Sequence, residues 1–205
     1  SMLLIGFAGV SQTNWYVATT GNDGTGDGSS GNPWLTIQYA ISQASNVVTD
    51  TIYVAAGTYS EKILIDRSVV LRGAKYGQDA RSRNTATGES ILDGTSASGS
   101  AYDAIMIDHG VSNVIIDGFE IRNYSATAQG DGNAISSYVM DDDVAGSSNV
   151  MVLNNYIHDV AYNGILVGSE ACTSGSMTNQ RPNYSSVPRP SSLVPRPSSL
   201  VSRPS

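Results

Sequence analysis

Residues 113–123 read NVIIDGFEIRN, and residues 149–159, 36 positions later, read NVMVLNNYIHD. Each stretch carries two short strand-like pieces in the same apolar-polar pattern. The pattern extends in both directions. From Thr51 onward, short apolar pieces recur in a fixed order, separated by Gly, Asn, Asp and Ser. One class contains IYV (52–54), SIL (90–92), EIR (120–122) and YIH (156–158). A second contains ILI (63–65), IMI (105–107), AIS (134–136) and GILV (164–167), and a third VVL (69–71), VII (114–116) and VMV (150–152). Ile105 to Ile135 and Ile135 to Ile165 are both 30 residues, whereas Ile63 to Ile105 is 42, with an extra loop near 75–88.

Three short strands per repeat, with repeats a few tens of residues long, mark a solenoid. One coil cannot bury its apolar side chains alone, so coils stack and like residues lie on like. Val114 is expected over Val150, and Ile116 over Val152. The fold expected is all-β: a right-handed parallel β-helix of about four coils over residues 51–180, the handedness following the family resemblance below. Residues 14–50 form its cap. NWYVATT (14–20) reads as a strand and residues 21–33 as a Gly-rich loop. NPWLTIQYAISQAS (32–45) reads as an amphipathic helix, with Asn32 as its cap, Pro33 in its first turn, and Ile37, Ala40, Ile41 and Ala44 on one face. Such a helix covers the unpaired edges that a stack exposes at its end. The other end carries no such cover, so end-to-end association through the C-terminal coil is expected.

The two ends of the chain read differently. MLLIGFAGV (2–10) resembles the apolar core of a signal peptide without its basic start, so residues 1–13 are either a clipped leader or an ordinary first strand. Residues 181–205 are a Pro/Ser/Arg repeat that cannot form ladder strands and is expected to be disordered. The net charge is −7, and the body before residue 181 holds 7 bases against 18 acids. That balance repels phosphate backbones and argues against nucleic acid as a partner. A single cysteine, Cys172, excludes an internal disulfide framework but is compatible with secretion. No run is long and apolar enough for a membrane span.

Residues 14–168 resemble the right-handed parallel β-helix proteins of the pectin-lyase-like superfamily. The resemblance rests on GNDG…NPWLTIQYAI (21–41), DTIYVAAGTY (50–59), SVVLRGA (68–74) and NVIIDGFEIRN. It implies a secreted or cell-surface location and a polysaccharide or cell-surface glycan as partner. The superfamily holds polysaccharide lyases, glycoside hydrolases, epimerases and non-catalytic surface proteins, so the shared fold does not select among them.

Gly26-x-Gly28-x-x-Gly31 superficially matches a dinucleotide fingerprint. Asp23 and Asp27 in the same loop repel pyrophosphate and no alternating βα units follow, so no nucleotide cofactor is expected. Asp93, Asn123 and Asp159 each follow an Ile-x-Asp/Asn pattern, which stacks them in one column as oxygen ligands for Ca²⁺ or as a structural polar ladder. Asp141, Asp142 and Asp143 offer a second acidic cluster for a cation, or a solvated loop. Asp66 and Asp108 are expected to stack beside Arg67 and His109 as a salt-bridged rung. His158 and Asp159 are adjacent, so strand alternation sends them to opposite faces and denies them a dyad. The paired-Asp and Gly-His-Gly motifs that the resemblance leads one to look for in hydrolases are missing. The bases that it implies for lyases reduce to Lys62, Lys75 and a few Arg, so no catalytic residue is identified. Two functions stay open: the N-terminal part of a secreted, carbohydrate-directed, lyase-like protein whose catalytic groove lies outside this chain, or a non-catalytic adhesin-type β-helix displaying binding loops.

Overall fold

The computed structural model describes residues 11–83, 87–99, 103–125, 132–139 and 146–169. All but the last three positions of the expected leader lie outside these residues, as do Cys172, Asp141, Asp142, Asp143 and the 181–205 repeat.

Strand β1 (Asn14–Val17) and helix α1 (Ile37–Gln43) precede four coils of three strands each. The coils are β2 (Asp50–Val54), β3 (Gly57–Tyr59) and β4 (Ile63–Ile65); β5 (Val69–Arg72), β6 (Ser90–Asp93) and β7 (Ile105–Ile107); β8 (Ser112–Asp117), β9 (Phe119–Arg122) and β10 (Ile135–Val139); and β11 (Ser148–Leu153), β12 (Tyr156–His158) and β13 (Ile165–Ser169). Like strands pair across coils into three parallel sheets: β1-β2-β5-β8-β11, β3-β6-β9-β12 and β4-β7-β10-β13. The molecule is a parallel β-helix. Ile63, Ile105, Ile135 and Ile165 stand in one register, and Val150 and Val152 pair with Val114 and Ile116, as the repeats predict.

Two assignments are corrected. Residues 52–54 belong with the VVL, VII and VMV class, because β2 pairs with β5. The partner of SIL, EIR and YIH in the first coil is Gly57–Tyr59, a strand that its glycine hides from a pattern search. The inward column of that sheet is Ser90-Leu92, Phe119-Ile121 and Ile157, so β6 pairs with β9 one residue away from the expected register. Leu92, not Ile91, points into the core, and Ser90 enters it because its hydroxyl donates to the carbonyls of Val54 or Ala55, at 2.8 and 3.0 Å.

The cap helix is shorter than its pattern. Asp23 accepts hydrogen bonds from the N–H groups of Leu35 and Thr36 and from the Thr36 hydroxyl, which keeps 33–35 out of the helix. Trp34 instead bridges Val17 as a further parallel rung. Thr36 is the N-cap, its Oγ1 accepting from Tyr39 N–H, and Asn32 caps nothing. Ile37, Ala40, Ile41 and Ala44 are buried, as expected. The first coil clamps both helix ends. Glu61 accepts the N–H groups of Ile37 and Gln38, each at 3.0 Å, and the Arg67 guanidinium donates to the carbonyls of Ser42 and Ala44. The Gln38 amide accepts from Leu64 N–H at 2.7 Å and donates to Leu64 C=O at 3.2 Å. One side chain therefore stands in for the missing rung on the β4 edge.

Corners use residues that enter the left-handed region at low cost. Asn113, Asn123, Asn149, Asn154 and Asp159 all have positive φ. Asn113 and Asn149 are the first residues of the two opening stretches, and Asn149 Nδ2 donates to Asn113 Oδ1 at 2.6 Å. A second ladder joins Asp103, Asn133 and Asn163, each 30 residues apart, with the N–H and Nδ2 of one coil donating to the side-chain oxygen of the previous coil at 2.8–3.0 Å. Asp66 lies beside Arg67 in a two-pronged pair at 2.8 and 3.0 Å, and Asp108 lies 3.8 Å from His109.

Candidate functional site

The corrected register changes the expected oxygen column. Asp93 pairs with Arg122, which pairs with His158, so Asp93 stands one residue out of register with Asn123 and Asp159. Arg122 bridges Asp93 at 2.9 Å and Glu120 at 2.7 Å, and His158 Nε2 lies 3.3 Å from Glu120. Asn123 still reaches Asp93, through its amide nitrogen at 3.2 Å. Asp93 also accepts the Thr95 N–H and hydroxyl. A cation at Asp93 would have to displace these donors. Among the described residues no group of three or more His, Cys, Asp or Glu is arranged to hold a metal.

His158 and Asp159 do meet, with Nδ1 and Oδ2 2.7 Å apart. Strand alternation stops at Asp159, whose φ of 51° turns its carboxylate back onto the ring. The ring also lies 4.6 Å from that of Tyr156. Both imidazole nitrogens face carboxylates, Asp159 on one side and Glu120 on the other, which ties two coils together. Asn123 and Asp159 do line a shallow corner groove with Thr95, Tyr124 and Ser125.

Burial raises the Asp93 carboxyl, but hydrogen bonds from Thr95, Arg122 and Asn123 outweigh it and hold the group well below the usual carboxylate range. A depressed folded-state pKa contributes stability that is present above the unfolded value, near 4, and is lost as pH falls from there towards the folded value. Asp93→Asn should therefore be less stable than the parent at pH 7, and the gap in melting temperature should close as pH falls below about 4. A gap that stays constant down to pH 2 would mean that Asp93 stabilises the coil by packing alone.

A different surface was not singled out from the sequence. On the outward face of the first sheet, Tyr16, Tyr53 and Arg72 stand in consecutive rungs of one file. The Tyr16 and Tyr53 rings stack with centroids 5.4 Å apart and planes 18° apart. Tyr76, from the turn after β5, meets Tyr53 edge-on at 5.8 Å. The Arg72 guanidinium lies 5.6 Å from the Tyr53 ring and 5.1 Å from the Tyr76 ring, and its Nη1 donates to the Tyr53 hydroxyl at 3.1 Å. With Pro33 and Ser30 of the cap loop, these side chains line a cleft of about 220 Å³ that is largely apolar. A signal for it exists. WYVA (15–18), IYVA (52–55) and LRGA (71–74) align residue for residue in the rungs, so a self-comparison that includes the cap strand finds the Tyr-Tyr-Arg file.

The turn that carries Tyr76 is seated by Gly118. Lys75 N–H donates to Gly118 C=O, and Asp117 accepts from Gly77 N–H. The loop after it reaches further along the stack. Arg83 donates to the carbonyls of Asn154 and Phe119 and pairs with the buried Glu89 at 3.1 Å. Burial pushes the Glu89 carboxyl up, with Arg83 opposing.

Residues 19–184 match the model of a family described as a protein of unknown function (DUF1565). Neither the curated proteins nor the solved structures gave a match. No helix among the described residues is long and apolar enough to cross a membrane.

Proposed function

The chain belongs to the DUF1565 family, and from that premise we propose that it is a glycan-binding β-helix of the pectin-lyase-like kind, working in a secreted or cell-surface setting. One observation carries this reading: the tyrosine cleft on the outer face of the first sheet. A pyranose ring presents an apolar face of C–H groups and a rim of hydroxyls. The apolar lining of the cleft offers a matching surface, and the tyrosine hydroxyls and Arg72 supply donors at its edge. Tyr53 and Arg72 sit on strands paired on both sides, and Tyr16, on the edge strand β1, is held on its open side by backbone bonds to Gly28 and Trp34, so little ordering is needed on binding.

Binding rather than turnover is the role we assign to it. The cleft is lined by no Asp, Glu, His or Lys, so apart from Arg72 it offers no charged group to move a proton. This favours the surface-protein reading over the lyase-like one.

Affinity electrophoresis through gels containing soluble polysaccharides of different composition tests the proposal. The parent should be retarded by at least one of them. Tyr53→Ala should lose that retardation while keeping the parent's circular dichroism, since loss of one stacked aromatic weakens binding about tenfold or more. Equal retardation of the parent and Tyr53→Ala would remove the cleft from the account.

A further inference from the structure

The two ends of the stack are finished differently. In the first coil Ile52, Val54, Tyr59 and Ile63 are 0–4% exposed although no complete coil precedes them, because β1 and the apolar face of α1 lie over that end. Gln38 occupies the β4 edge there, and Trp34 bridges Val17 on β1. The last described coil is left open. Ile105 and Ile135 are 0% and 1% exposed, whereas Ile165, next in the same column, is 48% exposed. Val167, stacked on the buried Ser137, is 63% exposed. Ile63, Ile105 and Ile135 each donate their N–H to a carbonyl of the next coil, at 2.9–3.1 Å, and the same register turns the Ile165 N–H towards the open edge. Strands β11, β12 and β13 contain no Asp, Glu, Lys, Arg or Pro, the residues that commonly blunt an edge strand. Residues 146–169 as a whole hold one acid, Asp159, and no Lys or Arg, in a chain whose body is strongly acidic.

What fits such an end is another coil, since apolar columns and rows of N–H and C=O groups are what each coil offers the next. The cap closes the opposite end, so a second copy can offer only the same open coil. Contact of like with like is isologous and stops at two. We propose that the chain dimerises tail to tail through this coil, about a two-fold axis perpendicular to the stack. Such an axis reverses chain direction, so the edge strands of the two copies meet antiparallel, and β11, the longest of the three, pairs with its own copy. Ile165 and Val167 are then covered as Ile105 and Ile135 are within the stack. Residues 146–169 are about as many as the roughly 20–30 residues that each side gives to a standard-size interface. The scarcity of charge in this coil lets two acidic bodies meet there with little repulsion at the contact. The tyrosine cleft, lined by the cap and the first two coils, stays open in both copies.

Sedimentation equilibrium of the full chain from about 1 to 100 µM tests the proposal. The parent should pass from monomer to dimer within that range, and its melting temperature should rise with concentration. The Ile165 amide should exchange with deuterium more slowly at the upper concentration than at the lower, which locates the contact without any substitution. Val167→Lys alters a side chain that is already exposed in the single chain, so it should keep the parent's circular dichroism. By symmetry it brings two ammonium groups into the contact and should weaken dimerisation about a hundredfold or more. Val47→Lys makes the same change at an exposed position of the cap and should leave the dimer within about threefold of the parent's affinity. A parent that stays monomeric throughout overturns the proposal. Slow exchange of the Ile165 amide in that monomer would then assign the cover to the chain beyond residue 169, and fast exchange to water. Assembly beyond the dimer overturns closure by the cap. A dimer that survives in Val167→Lys, or is lost in Val47→Lys, overturns the assignment to this end.

Discussion

Val114→Asp should leave the chain unfolded at 25 °C. Val114 is fully buried in the first residue pair of the opening repeat, and the rung above it is Val150. Val69, Leu71 and Ile116 share its core. An aspartate there places a carboxylate among aliphatic side chains without a partner, at a cost of several kcal/mol. A domain of this size has only about 5–15 kcal/mol of stability in total, and the cavity left by the lost methyl groups adds to the penalty. The neighbouring position is the control. Ile115 pairs with Met151 and lies on the outward face, so Ile115→Asp should fold with a loss of about 1 kcal/mol. Far-UV circular dichroism and urea melts of the two variants check this. A cooperative transition in Val114→Asp, or unfolding in both, would mean that the strand presents the wrong face to the core.

Gly118→Val should have the next largest effect. Gly118 has φ of 83°, and a Cβ there would fall on the backbone of Lys75 and Tyr76. The left-handed conformation costs about 1–2 kcal/mol for a side chain with a Cβ, and overpacking adds about 1–3 kcal/mol. The expected loss is about 3–5 kcal/mol in urea unfolding. The next coil provides the comparison. Leu153 pairs with Asp117, so Asn154 takes the place of Gly118 one rung on, with φ of 50°. Asn154→Gly relaxes the backbone and loses one side-chain hydrogen bond, for a net change of about 1 kcal/mol. Gly118 also seats the turn that carries Tyr76, so any folded Gly118→Val should bind glycan more weakly than the parent. Stability of Gly118→Val equal to that of Asn154→Gly would contradict the close approach of the two backbones.

How far such features were legible depends on how much physics each residue carries alone. The columns Ile63–Ile105–Ile135–Ile165 and Val114–Val150 were readable because like pieces, ILI with IMI and NVII with NVMV, recur in one order and at repeated spacings, so matching them end to end sets the register. In SILD (90–93) two apolar residues are adjacent and both registers look equally good. The choice falls to the Ser90 hydroxyl and its carbonyl partners from the previous coil, which no local pattern contains. That single slip puts Asp93 in register with Arg122, to which it is bridged, rather than with Asn123 and Asp159. The helix start was misjudged for a similar reason. Pro33 suits a first turn, but Asp23, 12 and 13 residues upstream of Leu35 and Thr36, captures both N–H groups and delays the helix to Thr36. The tyrosine cleft stayed hidden because WYV was read as part of a cap, whereas β1 is a rung of the first sheet.

The glycan-binding reading is tested most directly by mapping where a sugar lands. Backbone amide shifts of the ¹⁵N-labelled protein, recorded during titration with a trisaccharide that binds, should move at Tyr16, Ser30, Tyr53 and through the Arg72–Tyr76 turn. They should stay in place at Asn123, Ser125 and Asp159 in the corner groove. Shifts confined to that corner, with the amides of Tyr53 and Arg72 unmoved at saturation, would contradict the account.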